Sequence, residues 1–179
     1  MVEVMSYAGL RIGEVLLVQR EDVDVVKRRI AVTRSWTTEG TRWVQGSAKT
    51  GKGRVAPVSA SLAAYLDVHV ASVEPGGYLF CGPRGIAPWQ PDNWRSRVWK
   101  RAIAGTDFEA MGITPHDLRH TAAPMAIAAG AEVVAVQSML GHASATEMLN
   151  AYSHLWPNRL GAITDAVEAA RKAALWLAT

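Results

Sequence analysis

Residues 114–121 read Thr-Pro-His-Asp-Leu-Arg-His-Thr. The Thr-Pro pair opens a helix at His116, since the fixed φ and missing N–H of proline suit a first helical turn. His116 and Arg119 then stand three residues apart and His116 and His120 four, which places them on one helical face. A permanent cation beside a proton-transfer group can grip a phosphate together. Two histidines at this spacing also occur in helical zinc sites. Here Asp-Leu-Arg lies between them, the glutamate of the His-Glu-x-x-His pattern is missing, and Arg119 would repel a cation. No metal and no cofactor is expected.

Toward the C-terminus, Ala122 to Ala131 is apolar but interrupted by Pro124 and Gly130. Pro124 removes a backbone donor, so a kink or an early helix end is expected there. Ala131 to Leu140 forms the next helix, stopped by Gly141 at a C′ position. Leu140-Gly141-His142 and, ten residues after His142, Tyr152 follow. Ser144 to Ser153 reads as a helix or turn, and Leu160 to Leu177 as an alanine-rich amphipathic helix.

Toward the N-terminus, Asp92 caps a helix over Asn93–Ala104 that presents Arg95, Arg97, Lys100 and Arg101. Glu74 to Pro91 holds four prolines and four glycines and is mostly loop. Ser59 caps a helix running to about Ser72. Arg29–Thr33, Arg42–Gln45 and Arg54–Val58 read as short strands joined by the glycine-containing turns TTEG and AKTGKG. Val2 to Val18 reads as a helix interrupted by Gly9. The fold class is therefore α+β and mainly helical, with a small three-stranded antiparallel sheet inserted near the start.

The chain has 179 residues, 49% apolar and 20% charged, with a single cysteine. That composition suits one globular domain, or one with a short appendage, and argues against disorder and against a disulfide framework. No apolar run reaches the length of a membrane span and the start lacks a signal-peptide pattern, so a cytoplasmic location is expected. The net charge is only +3, but it is unevenly placed: residues 25–60 carry eight basic residues against one acid, and residues 102–179 carry four against seven. Such polarity fits a protein with one face on a polyanion. Gly46 to Gly53 nearly fits a Walker A loop. Gly53 replaces the serine or threonine that would hold Mg²⁺, and a strand follows where a helix is required.

Taken together, the motifs resemble the tyrosine recombinase (phage integrase) family. Gly9-Leu10-Arg11-Ile12-Gly13-Glu14 is similar to its first arginine motif, and Ala48-Lys49-Thr50-Gly51 to its β-hairpin lysine segment. His116–Thr121 is similar to the His-x-Leu-Arg-His signature, Met139–His142 to the Leu-Gly-His motif, and Ala151-Tyr152-Ser153-His154 to the nucleophile segment. All five occur in the family's order across residues 9–154. The ten-residue interval between His142 and Tyr152 is one longer than in many members. The arginine motif begins nine residues in, where members usually carry a core-binding domain first, so the chain looks like an isolated catalytic domain. Residues 1–158 are expected to form that domain, and 159–179 a C-terminal helix packing in cis or on a neighbouring subunit.

The resemblance implies a DNA strand-breaking and rejoining enzyme acting through a 3′-phosphotyrosyl intermediate, without ATP or metal. Duplex DNA is the implied partner, with other subunits joining in a tetrameric synapse, a nucleoid association when on DNA, and no membrane. Tyr152 is the implied nucleophile. Arg11 and Arg119 neutralise the non-bridging oxygens, as planar, permanently charged forks do well. His116 is the implied base or proton relay, Lys49 the general acid for the leaving 5′ oxygen, and His142 a donor to a phosphate oxygen. Glu14 supports Arg11, and His120 supports the site. Lys52, Arg54, Arg95, Arg97, Lys100 and Arg101 are expected to contact DNA. The competing readings are a binding-only or inactive recombinase remnant, which would normally have lost an arginine or the tyrosine, and a type IB topoisomerase, against which the Leu-Gly-His segment and small size speak.

Overall fold

The structure is a computed structural model, and it describes residues 1–47, 53–141, 146, 150, 152 and 167–172. Lys49, Lys52 and His142 lie outside the described residues, as does most of the expected C-terminal helix.

The expected helix from Val2 to Val18 is two helices, α1 (Val2–Ala8) and α2 (Ile12–Val15). Gly9 ends α1 in the left-handed region at φ 69°, a conformation that costs glycine least. A side chain there would also collide with Leu140, 2.6 Å from an added Cβ. The chain thus turns sharply at Gly9 and delivers Arg11 to the N-cap of α2.

Among the described residues, five strands follow: β1 (Val23–Asp24), β2 (Arg29–Val32), β3 (Arg34–Glu39), β4 (Arg42–Ser47) and β5 (Arg54–Pro57). A three-stranded antiparallel sheet is present, in the order β1-β2-β5, but Arg42–Gln45 is not part of it. That segment belongs to β4, which pairs with β3 in a separate two-stranded hairpin, in register from Arg34↔Ser47 to Glu39↔Arg42. The hairpin closes through the two residues Gly40 and Thr41, with Gly40 at φ 60°. β3 is hard to see in the sequence because only Ser35 of Arg-Ser-Trp-Thr-Thr-Glu is buried, so no apolar alternation marks it.

Helix α3 (Ala60–Ala71) is capped by Ser59, whose hydroxyl accepts the Leu62 N–H at 3.2 Å. The next helical run starts at Pro91 with Gln90 as N-cap, ahead of the expected Asp92 cap. It comprises α4 (Pro91–Trp94), a π turn over Arg95–Trp99, and α5 (Lys100–Ile103). Five residues per hydrogen-bonded step bring Trp94 and Trp99 onto one face, where both are buried and their rings stack at 6.1 Å. A short α6 (Asp107–Ala110) leads to α7 (Pro115–Ala128). The early end expected at Pro124 does not occur: α7 continues to Ala128, with Ala122, Ala123 and Ile127 buried on both sides of the proline. Packing of that face outweighs the lost hydrogen bond. α8 (Val133–Leu140) ends, as expected, at Gly141 in the left-handed region, φ 64°.

The core has two parts. The larger gathers α1, α2, the three-stranded sheet, α3, Trp94 and Trp99. The smaller comprises Ala122, Ala123, Ile127, Val136, Leu140 and Tyr152. Among the described residues no helix is long and apolar enough to cross a membrane.

Candidate active site

The seam between the two cores is polar, and it is organised around Glu14. The Glu14 side chain is fully buried, and its carboxylate accepts four hydrogen bonds. Two come from Arg11, from its backbone N–H (2.8 Å) and its guanidinium (3.0 Å). The other two come from Arg54 on β5, both terminal nitrogens donating at 2.7 Å in a bidentate fork. Burial alone would raise the pKa of Glu14, but the Arg54 hydrogen bonds and charge, aided by Arg11, hold it below the usual carboxylate range.

Three arginines also share the C-terminal end of α8. Arg54 Nε donates to the Met139 carbonyl at 3.1 Å, Arg119 to the Leu140 carbonyl, and Arg11 to the Gly141 carbonyl at 3.4 Å. A helix C-terminus presents unpaired carbonyls and a partial negative charge, so cations suit it. Arg119 donates in addition to the Gly9 carbonyl, which ties α7 to the turn after α1. Gly141 is required where it stands: Arg54 Cδ lies 2.7 Å from an added Cβ. Arg119 is 3% exposed. Burial, then the neighbouring Arg11, pushes its pKa down to about 9, with Glu14 opposing, and it still carries its charge at neutral pH.

α7 places its histidines beside this cluster. Asp117 fixes the start of the helix by accepting from the Thr114 N–H (2.8 Å) and hydroxyl (2.6 Å). His116 and His120 meet edge to face, ring centroids 4.6 Å apart. The Tyr152 hydroxyl lies 2.6 Å from Nδ1 of His120. Burial raises the pKa of Tyr152, and Arg119 pulls the other way. Burial, His120 and Arg119 lower that of His116.

Two clefts open on His116. One, of about 400 Å³, runs from Arg11 along the β3–β4 hairpin past Trp36 and Trp43. The other, of about 630 Å³, is bordered by Arg95, Trp99 and Lys100. Trp43 Nε1 donates to Asp92 at 2.7 Å, so the hairpin is pinned to α4 at the rim.

The structure therefore brings together Arg11, Glu14, His116, Arg119, His120 and Tyr152. It differs from the sequence expectation at two points. Arg54, expected on DNA, has its guanidinium turned inward onto Glu14 and Met139. The signal was present: Ala56 and Val58 are the apolar, inward positions of this segment, and two-residue periodicity puts Arg54 on the same side. Second, the ring touching the Tyr152 hydroxyl is that of His120 rather than His116. Of the remaining expected DNA contacts, Arg97, Lys100 and Arg101 are exposed, and Arg95 is paired with Asp92 at 2.9 Å.

A buried guanidinium, a half-buried one and a tyrosine–histidine pair are chemically suited to grip a phosphate. The model of the phage integrase family matches residues 1–159. The chain belongs to that family. Curated relatives include the tyrosine recombinase XerC of Methylobacterium sp. (strain 4-46), 37% identical over 141 residues, covering 76% of this chain and 39% of that protein. XerC of Corynebacterium glutamicum is 30% identical, over 89% of this chain and 47% of its own. The chain thus spans less than half of these relatives' length. Among solved structures, the Tn1549 transposon integrase in complex with circular intermediate DNA superposes with a TM-score of 0.69 at 20% identity, covering 94% of this chain and 57% of that one. The catalytic domain of bacteriophage HP1 integrase gives 0.59 at 18% identity, over 92% and 78%. At these identities the superpositions speak for the fold.

Proposed function

We propose that this member of the phage integrase family cuts and rejoins duplex DNA, with Tyr152 attacking the phosphorus to leave a 3′-phosphotyrosyl link and a free 5′ hydroxyl. The observation that carries the reading is the Tyr152 hydroxyl held by a histidine on the helix that also supplies Arg119. Arg11 and Arg119 neutralise the two non-bridging oxygens. Among the described residues each guanidinium gives two of its five N–H donors to protein oxygens and has others to offer a phosphate. Glu14 and Arg54 fix Arg11 before substrate arrives, which is the preorganisation such electrostatic catalysis needs. Lys49 is assigned the leaving-group proton and His142 a phosphate oxygen. Lys52, Arg97, Lys100 and Arg101 follow the DNA backbone, with Arg95 at the cleft edge. Assembly with further subunits on DNA, up to a tetrameric synapse, and a location on the nucleoid within the cytoplasm belong to the same reading.

The test is incubation of the chain with a nicked duplex whose cleavage releases a short strand and traps the covalent complex. A DNA-linked band that survives denaturation and vanishes in Tyr152→Phe is expected. DNA binding without any covalent product would mark a binding-only protein and overturn the proposal.

A further inference from the structure

Resting on the strand-cleavage reading above, the geometry points to His120, rather than His116, as the group that takes the phenolic proton of Tyr152. The 2.6 Å separation between the Tyr152 hydroxyl and Nδ1 of His120 is a direct hydrogen bond; in the tautomer with the ring hydrogen on Nε2 the hydroxyl donates, and the proton then lies on the line of its transfer. No side chain need move to complete the pair. His116 meets the ring of His120 edge-on and borders both clefts, which places it toward the substrate.

The Tyr152 O–H bond breaks, its proton passes to Nδ1, and the phenolic oxygen bonds to phosphorus. The bond from phosphorus to the 5′ oxygen breaks, and that oxygen receives a proton from a separate acid, for which Lys49 is proposed. His120 is left as an imidazolium. In rejoining, a DNA 5′ hydroxyl gives its proton back to that deprotonated acid and attacks phosphorus, the tyrosyl–phosphorus bond breaks, and the imidazolium returns its proton to the departing phenolate.

Two measurements on the whole chain decide the matter. The first needs no DNA: nitrogen-15 NMR of the histidine rings in the wild type and in Tyr152→Phe. Loss of the hydroxyl is expected to shift Nδ1 of His120 more than either nitrogen of His116; a larger change at His116 overturns the assignment. The second is single-turnover cleavage of the nicked duplex with fluorinated tyrosine placed at position 152 alone, which makes the phenol more acidic. In His120→Gln, cleavage is expected to fall by about a hundred- to ten-thousandfold, the range for a lost general base. Fluorination should restore at least about tenfold of that loss, while in the wild type and in His116→Gln it restores nothing. Each comparison is made within one variant, so a general loss of folding lowers both rates alike and does not imitate rescue. Rescue in His116→Gln instead, or none in His120→Gln, overturns the proposal. A wild type that forms no covalent complex overturns the strand-cleavage reading itself, an outcome distinct from both.

Discussion

Glu14 holds no reacting atom, yet four donors converge on its two oxygens, about as many lone-pair sites as a carboxylate has. Removing one partner of a buried pair strands the other, so Arg54→Ala should cost about 3–5 kcal/mol of stability by urea denaturation. It should also depress cleavage more than its distance from Tyr152 would imply, because Arg11 loses its support. The pH dependence follows from the lowered pKa of Glu14. A carboxylate depressed in the folded state stabilises fully above its unfolded value, about 4.3, and that contribution drains away as pH falls through the folded value. The stability gap between wild type and Glu14→Gln should therefore be wide at pH 7 and should close only in acid, as the pH falls through the lowered folded value. An equal gap at both would show that ionisation of Glu14 is not the source. Lys49 has a different signature. If it protonates the leaving 5′ oxygen, Lys49→Ala should lose about a hundred- to ten-thousandfold on ordinary DNA. It should recover most of the wild-type rate on a substrate with bridging sulfur, since a thiolate leaves without a proton. Arg11→Ala and Arg119→Ala should not recover. Equal behaviour of all three would move the acid role to Lys52.

Gly141→Ala places a methyl group 2.7 Å from Arg54 and forces a side chain onto φ 64°, two penalties at one site. The variant should unfold at lower denaturant and bind DNA more weakly, since the carbonyls of residues 139–141 anchor all three arginines. Pro124 works in the other direction. It stands inside α7, where proline costs about 3 kcal/mol relative to alanine, so Pro124→Ala should raise the melting temperature. Boundaries set by local chemistry were legible in the sequence: Ser59, Pro115 and Gly141 each cap or open a helix where expected. Elements set by tertiary contact were not. β3 has no apolar alternation, and the π turn exists because Trp94 and Trp99 must share a face. α7 outlasts its proline because Ala122, Ala123 and Ile127 are buried.

At the scale of the molecule, the site is the seam between two cores, and Gly9, Arg119 and Leu140 stitch it. The sequence motifs singled out Arg11, His116, Arg119 and Tyr152 as candidates because their chemistry is distinctive and their order follows the family pattern, and the structure places these four side by side in the fold. The motifs left Arg54 among the surface cations, since its two-residue alternation with Ala56 and Val58 is short and the stretch around it is basic. The basic residues that remain outward give the whole-molecule prediction. DNA affinity should fall steeply with salt, with a logarithmic slope of about 0.9 per phosphate neutralised. Charge removal at Arg97, Lys100 and Arg101 should flatten that slope by about one unit per lost contact. A slope unchanged in the triple variant would place the DNA on another face.

The three guanidiniums on the last carbonyls of α8 have a bearing on how such a chain can be reassembled from relatives. α1–α2, β5 and α7 each send one arginine to the same helix end, so those segments are matched parts although far apart in the chain. A chimera with a crossover between β5 and α8 inherits lock and key from different parents. A single-residue insertion in α8 would rotate its terminal carbonyls by about 100° and leave every arginine facing the wrong group. Grafts that carry residues 9–14, Arg54, Arg119 and 139–141 as one set should fold; grafts that divide the set should not.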